Sequence, residues 1–492
     1  MYRWKISVWA CVLGSALVLT RLATGQRIGD GPAIPYHLSQ TDIEDGRLSF
    51  AEVVQHGDLL FNAVFNKYDG QGRPATTGSG AARIYGSAPP MLRTSGPDAS
   101  SCAGCHNQPR AGGAGDFVAN VFVLAQVLDP VTESVSGQFS NERNTLGMMG
   151  AGPIEMLARE MTEDLLGIRN EAIVRARANS SNVTVALITK GIHFGSITAA
   201  PGGAVDTSQV RGVNKDLIVR PFHQKGAVVS LREFSNNAMN HHHGMQSTER
   251  FSFLFPTILD PDGDGVIDEL SVGDITAVTI FQAQLGTPGR VIPQDSRKRR
   301  AAEAGSLLFA DIGCATCHVP ALRLRKRFFI EPDPFNPPGN LQTSAHPLIF
   351  DLTRDGEKPR LERTSDGGAI VRAYTDLKRH DLCGTTDQFF CNEQIPQAGI
   401  STREFLTRKL WDAGNSAPYG HRGDLTTLTE AIDHHHGEAK ATRDVFFSLG
   451  PDRQAQIIEF LKTLQVLPPG APLVVTETEV RNESHSGTVF DR

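Results

Sequence analysis

The sequence predicts a mainly α-helical chain built from two similar units, with long irregular loops and a few short strands. Three observations predict it. Apolar residues recur at helical spacing in several segments, a short cysteine motif occurs twice, and the surroundings of that motif repeat.

The chain has 492 residues, 40% hydrophobic and 21% charged, an ordinary globular composition with room for two domains or more. Residues 1–25 read as a signal peptide: basic MYRWK, apolar ISVWACVLGSALVLT, then small residues with a cleavage site after Gly25. The alternative, an uncleaved anchor, is disfavoured because the run is short for a span. Cys11 follows Trp9-Ala10, a poor lipoprotein signal, and no other segment is apolar enough to cross a bilayer. Export to a periplasm is expected. Losing Arg3, Lys5 and Arg21 and no acid takes the formal charge from −6 to −9. An acidic exported chain is poorly suited to nucleic acid and better suited to a basic or neutral redox partner.

Along the chain, 26–45 reads as an extended arm and 46–66 as an amphipathic helix. PIEMLAREMTEDL (153–165) opens with a proline and carries one apolar face, Ile154, Leu157, Ala158, Met161 and Leu165. A few short strands are expected within 170–220, a helix over 274–285, a polar linker to residue 300, an irregular excursion over 329–372 and a helix over 452–464. This divides the chain into a first unit, 26–290, a second, 291–467, and a loose polar tail, 468–492.

The motif is C-x-x-C-H, as CAGCH at 102–106 and CATCH at 314–318. It is the attachment signature of c-type haem: two thiols form thioethers to the macrocycle and the adjacent histidine binds the iron. Zinc would also use C-x-x-C pairs, but these lie far apart and each carries a histidine. A thioredoxin-like pair lacks its βαβ setting, and plain disulfides leave the histidines unexplained. Cys383 and Cys391 remain for a short-loop disulfide.

The repeat extends beyond the motif. FHQKGAVVSLREF (222–234) matches YGHRGDLTTLTEA (419–431), with Gly226 on Gly423, Ser230 on Thr427, Leu231 on Leu428 and Glu233 on Glu430. Each copy reads as a glycine turn and a capped helix start, leading to a histidine triplet at 241–243 or 434–436. GDLLF (57–61) precedes the first motif and GSLLF (305–309) the second. Adjacent helical residues point about 100° apart, so at most one histidine of a triplet faces a given iron.

On these residues, together with GPDASSCAGCHNQPRAGG, DPDGDGVIDELSVGDITAVTIFQAQLG, AYTDLKRHDL and LWDAGNSAPYGHRGDL, the chain resembles the di-haem c-type oxidoreductases often labelled peroxidase or thiol oxidoreductase. These are related to bacterial di-haem cytochrome c peroxidases and, more distantly, to di-haem rubber oxygenases. The resemblance spans roughly residues 45–465. It implies a mainly α fold of two cytochrome c-like haem domains, with two covalent haem c groups bound at Cys102, Cys105, His106 and Cys314, Cys317, His318. It implies His435 as the far-side ligand of the second iron. It gives the first iron the reactive role, either open or closed by His241, His242 or His243, of which His242 is the candidate. Glu233 has the spacing of a distal catalytic carboxylate, able to move a proton between peroxide oxygens. The capping box is the competing reading of Glu233. His223, on the same turn, is the second catalytic candidate.

Independently of haem, DPDGDGVIDE resembles a calcium loop, with Asp260, Asp262, Asp264 and Asp268 at positions 1, 3, 5 and 9 and the Val266 carbonyl at 7. Position 12 is Ser271 in place of glutamate, so Glu269 or Asp274 would have to substitute. Trp411 is expected in core packing, with electron relay the alternative, and His380 is structural or near a haem propionate.

The expected activity is reduction of peroxide at the first haem, with electrons relayed by the second from a small donor protein such as a cytochrome c or cupredoxin. A pure electron-transfer protein and an oxygenase acting on an organic substrate are the alternatives.

Overall fold

The computed structural model describes residues 29–72, 99–116, 118–121 and 141–486. The signal peptide read over 1–25 lies outside them. Helix α1 (Phe50–Asn62) starts at a Ser49–Glu52 capping box, and α2 (Ala151–Asn179) begins with the predicted face buried at Ile154, Leu157, Ala158, Met161 and Leu165. Helix α3 (Leu231–Ala238) is capped by Ser230. Helix α4 (Val272–Ala283) is buried from Gly273 to Ala283, because GDITAVTIFQA offers almost no polar face and is stable only inside a core. Further along the chain, α5 (Ser296–Asp311), the short α6 (Leu428–Asp433) and α7 (Pro451–Lys462) follow.

The expectation of a mainly α fold with cytochrome c-like domains is not met. The structure is 35% helix and 16% strand. Among the described residues, fifteen strands form six small sheets of two or three strands. Val183–Thr189 and Ile192–Ala199 pair as a hairpin within the β-branched stretch. Leu322–Leu324 pairs with Ala369–Val371, Phe328–Glu331 with Leu348–Asp351, and Arg379–Asp381 with Glu404–Leu406. The expected irregular excursion over 329–372 is mostly irregular, but it carries short strands at its start, at Leu348–Asp351, at Glu362–Arg363 and at Ala369–Val371. These strands are too short for alternation to read, and most partners are distant in sequence. The tail differs likewise: Val474–Thr476 pairs parallel with Gly289–Ile292, and Glu477–Ser486 is helical.

The main core joins α1, α2 and α4 and also takes Leu322, Phe329, Phe350, Val371 and Trp411 from the later half. A smaller core holds Leu308, Phe309, Phe446, Ile457, Phe460 and Leu461. A buried ion network fixes the start of α3. Arg232 is fully enclosed, 2.5 Å from Glu331 and 2.7 Å from Glu249. Arg159 binds Glu155 and Asp333, each at 3.0 Å, and the other oxygen of Glu155 accepts the Leu231 N–H at 2.7 Å. Enclosed charges of this kind demand partners, so the network ties the 331–333 segment to α2 and α3.

Candidate functional site

The two motifs sit in matching surroundings. A Cβ on Gly57 would stand 2.1 Å from the Ala277 carbonyl oxygen, and one on Gly305 1.9 Å from that of Gln456, so each G-x-L-L-F glycine is the crossing point of two helices. Four residues on, Phe61 lies 6.5 Å from the His106 ring and Phe309 6.3 Å from that of His318. The glycine turns also match: Phe222 bridges to Val228 and Tyr419 to Leu425, with Gly226 and Gly423 both at positive φ.

Each motif histidine donates its Nδ1–H to the backbone. His106 binds the Leu146 carbonyl at 2.9 Å; His318 lies 3.1 Å from those of Tyr374 and Arg408. That leaves Nε2 as a lone-pair donor, the arrangement metal-binding histidines adopt. Burial pushes both imidazoles down to about 4, so they stay neutral and able to ligate. Burial also raises the thiols of Cys102 and Cys314 to about 12 and Cys105 to about 11, so they stay protonated. Cys383 and Cys391 are joined as a disulfide.

Both motifs open on one cavity of about 500 Å³. Its wall is largely apolar, with Lys409, Glu438 and three arginines that are each ion-paired, Arg143 to Glu393, Arg408 to Asp412 and Arg443 to Asp433. Burial lowers Lys409 to about 8. Across the cavity from His318 stands His435, ring centroids 6.4 Å apart, its Nδ1 donating to the Ala431 carbonyl at 2.6 Å. Metal–imidazole bonds of about 2.0–2.1 Å, plus about 1.1 Å from each nitrogen to its ring centre, put two rings flanking one metal about 6.3 Å apart. The cavity and the donor set thus fit a haem at each motif.

The second triplet divides its work. His434 binds Asp387 at 2.7 Å and stacks on Phe389 at 4.3 Å, His436 lies 3.4 Å from the same Asp387, and His435 alone faces His318. The first triplet forms a single π turn, Met239–His243. His242 and His243 line the cavity. His243 donates Nδ1–H to the Ala99 carbonyl at 2.6 Å and turns Nε2 to 3.4 Å from the Cys102 sulfur. His242 is near enough to His106 and His223 for its charge to bear on both.

His223 is in the cavity wall, and Glu233 is not. The Glu233 carboxylate turns back to accept the Val229 N–H at 2.7 Å, and burial raises its pKa. His421, on the matching turn, lines the cavity within a cage of Phe389, Phe390 and Phe405. His380 bridges Asp376 at 2.9 Å and Glu438 at 2.8 Å beside Cys317; burial opposes its charge, but the Asp376 and Cys317 hydrogen bonds raise it to about 10. Trp411 is buried with its ring against Gly150.

Sequence reasoning missed Arg143, Gln397, Asn392, Asp387 and Lys409. The cysteine pair framing 383–391 was the one available signal for that loop.

In the acidic loop, Asp260, Asp262 and Asp264 bring carboxylate oxygens within 4.8 Å of one another. Asp260 accepts the Gly263 and Gly265 N–H groups at 2.8 and 3.0 Å. Neither proposed substitute for position 12 faces the loop. Glu269 accepts the Gln246 N–H at 2.7 Å, and Asp274 binds His37 and His56.

No protein-family model matches the chain, and no curated protein matches it. Among solved structures it is similar to hydrazine synthase from Kuenenia stuttgartiensis, at 15% identity and a TM-score of 0.34, over 92% of this chain and 100% of that one. A likeness that loose carries no argument about fold or activity. No helix among the described residues is long and apolar enough to cross a membrane.

Proposed function

We propose that the chain is an exported di-haem c oxidoreductase that reduces peroxide at the first motif and stores or relays an electron at the second. The observation that carries this reading is an asymmetry. His318 and His435 face each other at 6.4 Å with both Nδ1 atoms on carbonyls, whereas the register of His435 holds Ala238 in the first copy. Haem bound at the two motifs would supply the electron transfer and the peroxide chemistry. The chain supplies the rest. Cys102 and Cys105, and Cys314 and Cys317, anchor the groups. His106, His318 and His435 would hold the irons. Lys409, in the cavity wall, would pair with a carboxylate. Of the two acid–base candidates, His223 faces the cavity, while Glu233 is held by its own helix start. The acidic loop would bind calcium as a brace, and a small redox protein would supply electrons.

One observation favours a second reading, a pure electron carrier. His243 carries the same Nδ1-to-carbonyl anchor as the ligands and would close the first iron. Low-temperature EPR of oxidised protein with two haems counted per chain separates the readings. One high-spin and one low-spin signal, with peroxide turnover, supports the first. Two low-spin signals and no turnover support the carrier.

A further inference from the structure

His223 is held in an unusual way. It is a non-glycine residue at φ +63°, in the left-handed region, and such strain persists only where the surroundings over-determine it. Arg143 is buried and bound to Glu393. A guanidinium only donates, so its 3.3 Å contact identifies the Gln397 atom facing it as the oxygen, Oε1. The other end of that buried amide, Nε2, then donates to His223 Nδ1 at 2.9 Å. A neutral imidazole accepting at Nδ1 carries its proton on Nε2. Burial, reinforced by His242 and Arg143, keeps the ring neutral, with its pKa down at about 3. His223 lines the cavity, and its Nε2–H has no acceptor among the described residues. The second copy has Gly420 at the matching position, so only the first glycine turn carries such a histidine.

We propose that His223 donates a hydrogen bond from Nε2 to a small anionic or lone-pair-bearing ligand held in the first half of the cavity, and that Gln397 is the positioning residue that sets this tautomer. This rests on the reading that the first iron is open. It assigns His223 the part of a donor that stabilises a bound oxygen atom. A base taking a proton from peroxide would need a free lone pair at Nε2, which the Gln397 contact denies it.

The test uses the holoprotein with fluoride, a strong hydrogen-bond acceptor, and with carbon monoxide on the reduced form, a weak one. EPR comes first: with no high-spin signal the first iron is closed, and the open-iron reading and this proposal fall together. With that signal present, His223→Leu and Gln397→Glu are compared with the parent. The carboxylate of Gln397→Glu would accept from Nδ1–H and leave Nε2 bare. Both variants are expected to raise the fluoride Kd about tenfold, the worth of one charge-assisted hydrogen bond, and to move carbon monoxide affinity less than about twofold. Gln397→Leu, which frees the ring to choose either tautomer, should fall between. Unchanged fluoride affinity in His223→Leu, with both haems and the high-spin signal retained, overturns the donor. A loss in His223→Leu with none in Gln397→Glu or Gln397→Leu overturns the part given to Gln397.

Discussion

Ala238 stands in the first copy at the place His435 takes in the second. Each is the eighth residue after its capping hydroxyl, Ser230 or Thr427, and both line the shared cavity. Ala238 is the last residue of its helix, and His435 lies two residues past the end of its own, where the His435 N–H still bonds the Ile432 carbonyl at 3.1 Å. Ala238→His is expected to supply the missing imidazole, replace the high-spin EPR signal with a second low-spin one, and cut peroxide turnover about tenfold or more. His435→Ala should do the reverse at the second site, adding a high-spin signal. A variant with a full haem count and an unmoved spectrum would break the correspondence.

The crossing glycines test whether the units are separable. A methyl on Gly57 or Gly305 meets a backbone oxygen, which cannot swing aside as a side chain can. Gly57→Ala and Gly305→Ala should each cost about 1–3 kcal/mol, as overpacking does. Each should also lower haem incorporation at its own motif, which the spectra of the two irons would show. Equal loss at both motifs from either variant would mean that the shared core couples them.

What the sequence revealed was local. The C-x-x-C-H motifs, the capped helix starts and the matching glycine turns all lie within a few residues of their causes. The sheets did not show, because Leu322–Leu324 finds its partner at Ala369–Val371 and Gly289–Ile292 at Val474–Thr476. The parts of the site supplied by distant loops were hidden for the same reason. Nothing in its own neighbourhood marks Gln397 as the partner of His223. Glu233 shows where a pattern is ambiguous. Ser-x-x-Glu reads as a capping box, yet its carboxylate reaches the Val229 N–H rather than that of Ser230. Glu269 and Asp274 were plausible calcium ligands by spacing alone; the fold commits both elsewhere.

The disulfide should matter to both ends of the cavity. The loop it closes carries Asp387, which holds His434, and next to it lie Asn392, 3.0 Å from His421, and Gln397, on His223. Replacing Cys383 and Cys391 by serine is expected to lower unfolding free energy by about 2–3 kcal/mol, measured in urea. It should also weaken fluoride binding in the direction of Gln397→Leu. A stability loss with fluoride affinity unchanged would place the positioning of Gln397 in Arg143 alone.

The amino-terminal arm should carry a pH dependence of its own. His37 Nδ1 lies 2.6 Å and His56 Nε2 2.7 Å from the buried Asp274 carboxylate, which also accepts the Leu38 N–H at 3.0 Å. The hydrogen bond to Asp274 raises His37 above its ordinary 6.5, against the opposing effect of burial. A raised histidine gives stability that is complete below pH 6.5 and fades as pH rises through the folded value. For Asp274, burial works to raise the carboxyl, but the hydrogen bonds from His37 and His56 prevail and hold it far below its ordinary 3.8. Its contribution is complete above that value and is lost only in strong acid. Unfolding free energy should therefore be higher at about pH 5 than at about pH 8 through this cluster. Asp274→Asn should cost about 3 kcal/mol at pH 5, because it strips a buried pair of its charge, and should flatten the slope between the two pH values. His37→Gln should flatten the slope with a smaller loss, since His37 is partly exposed. An unchanged slope in Asp274→Asn would move the origin of any pH dependence to the cavity.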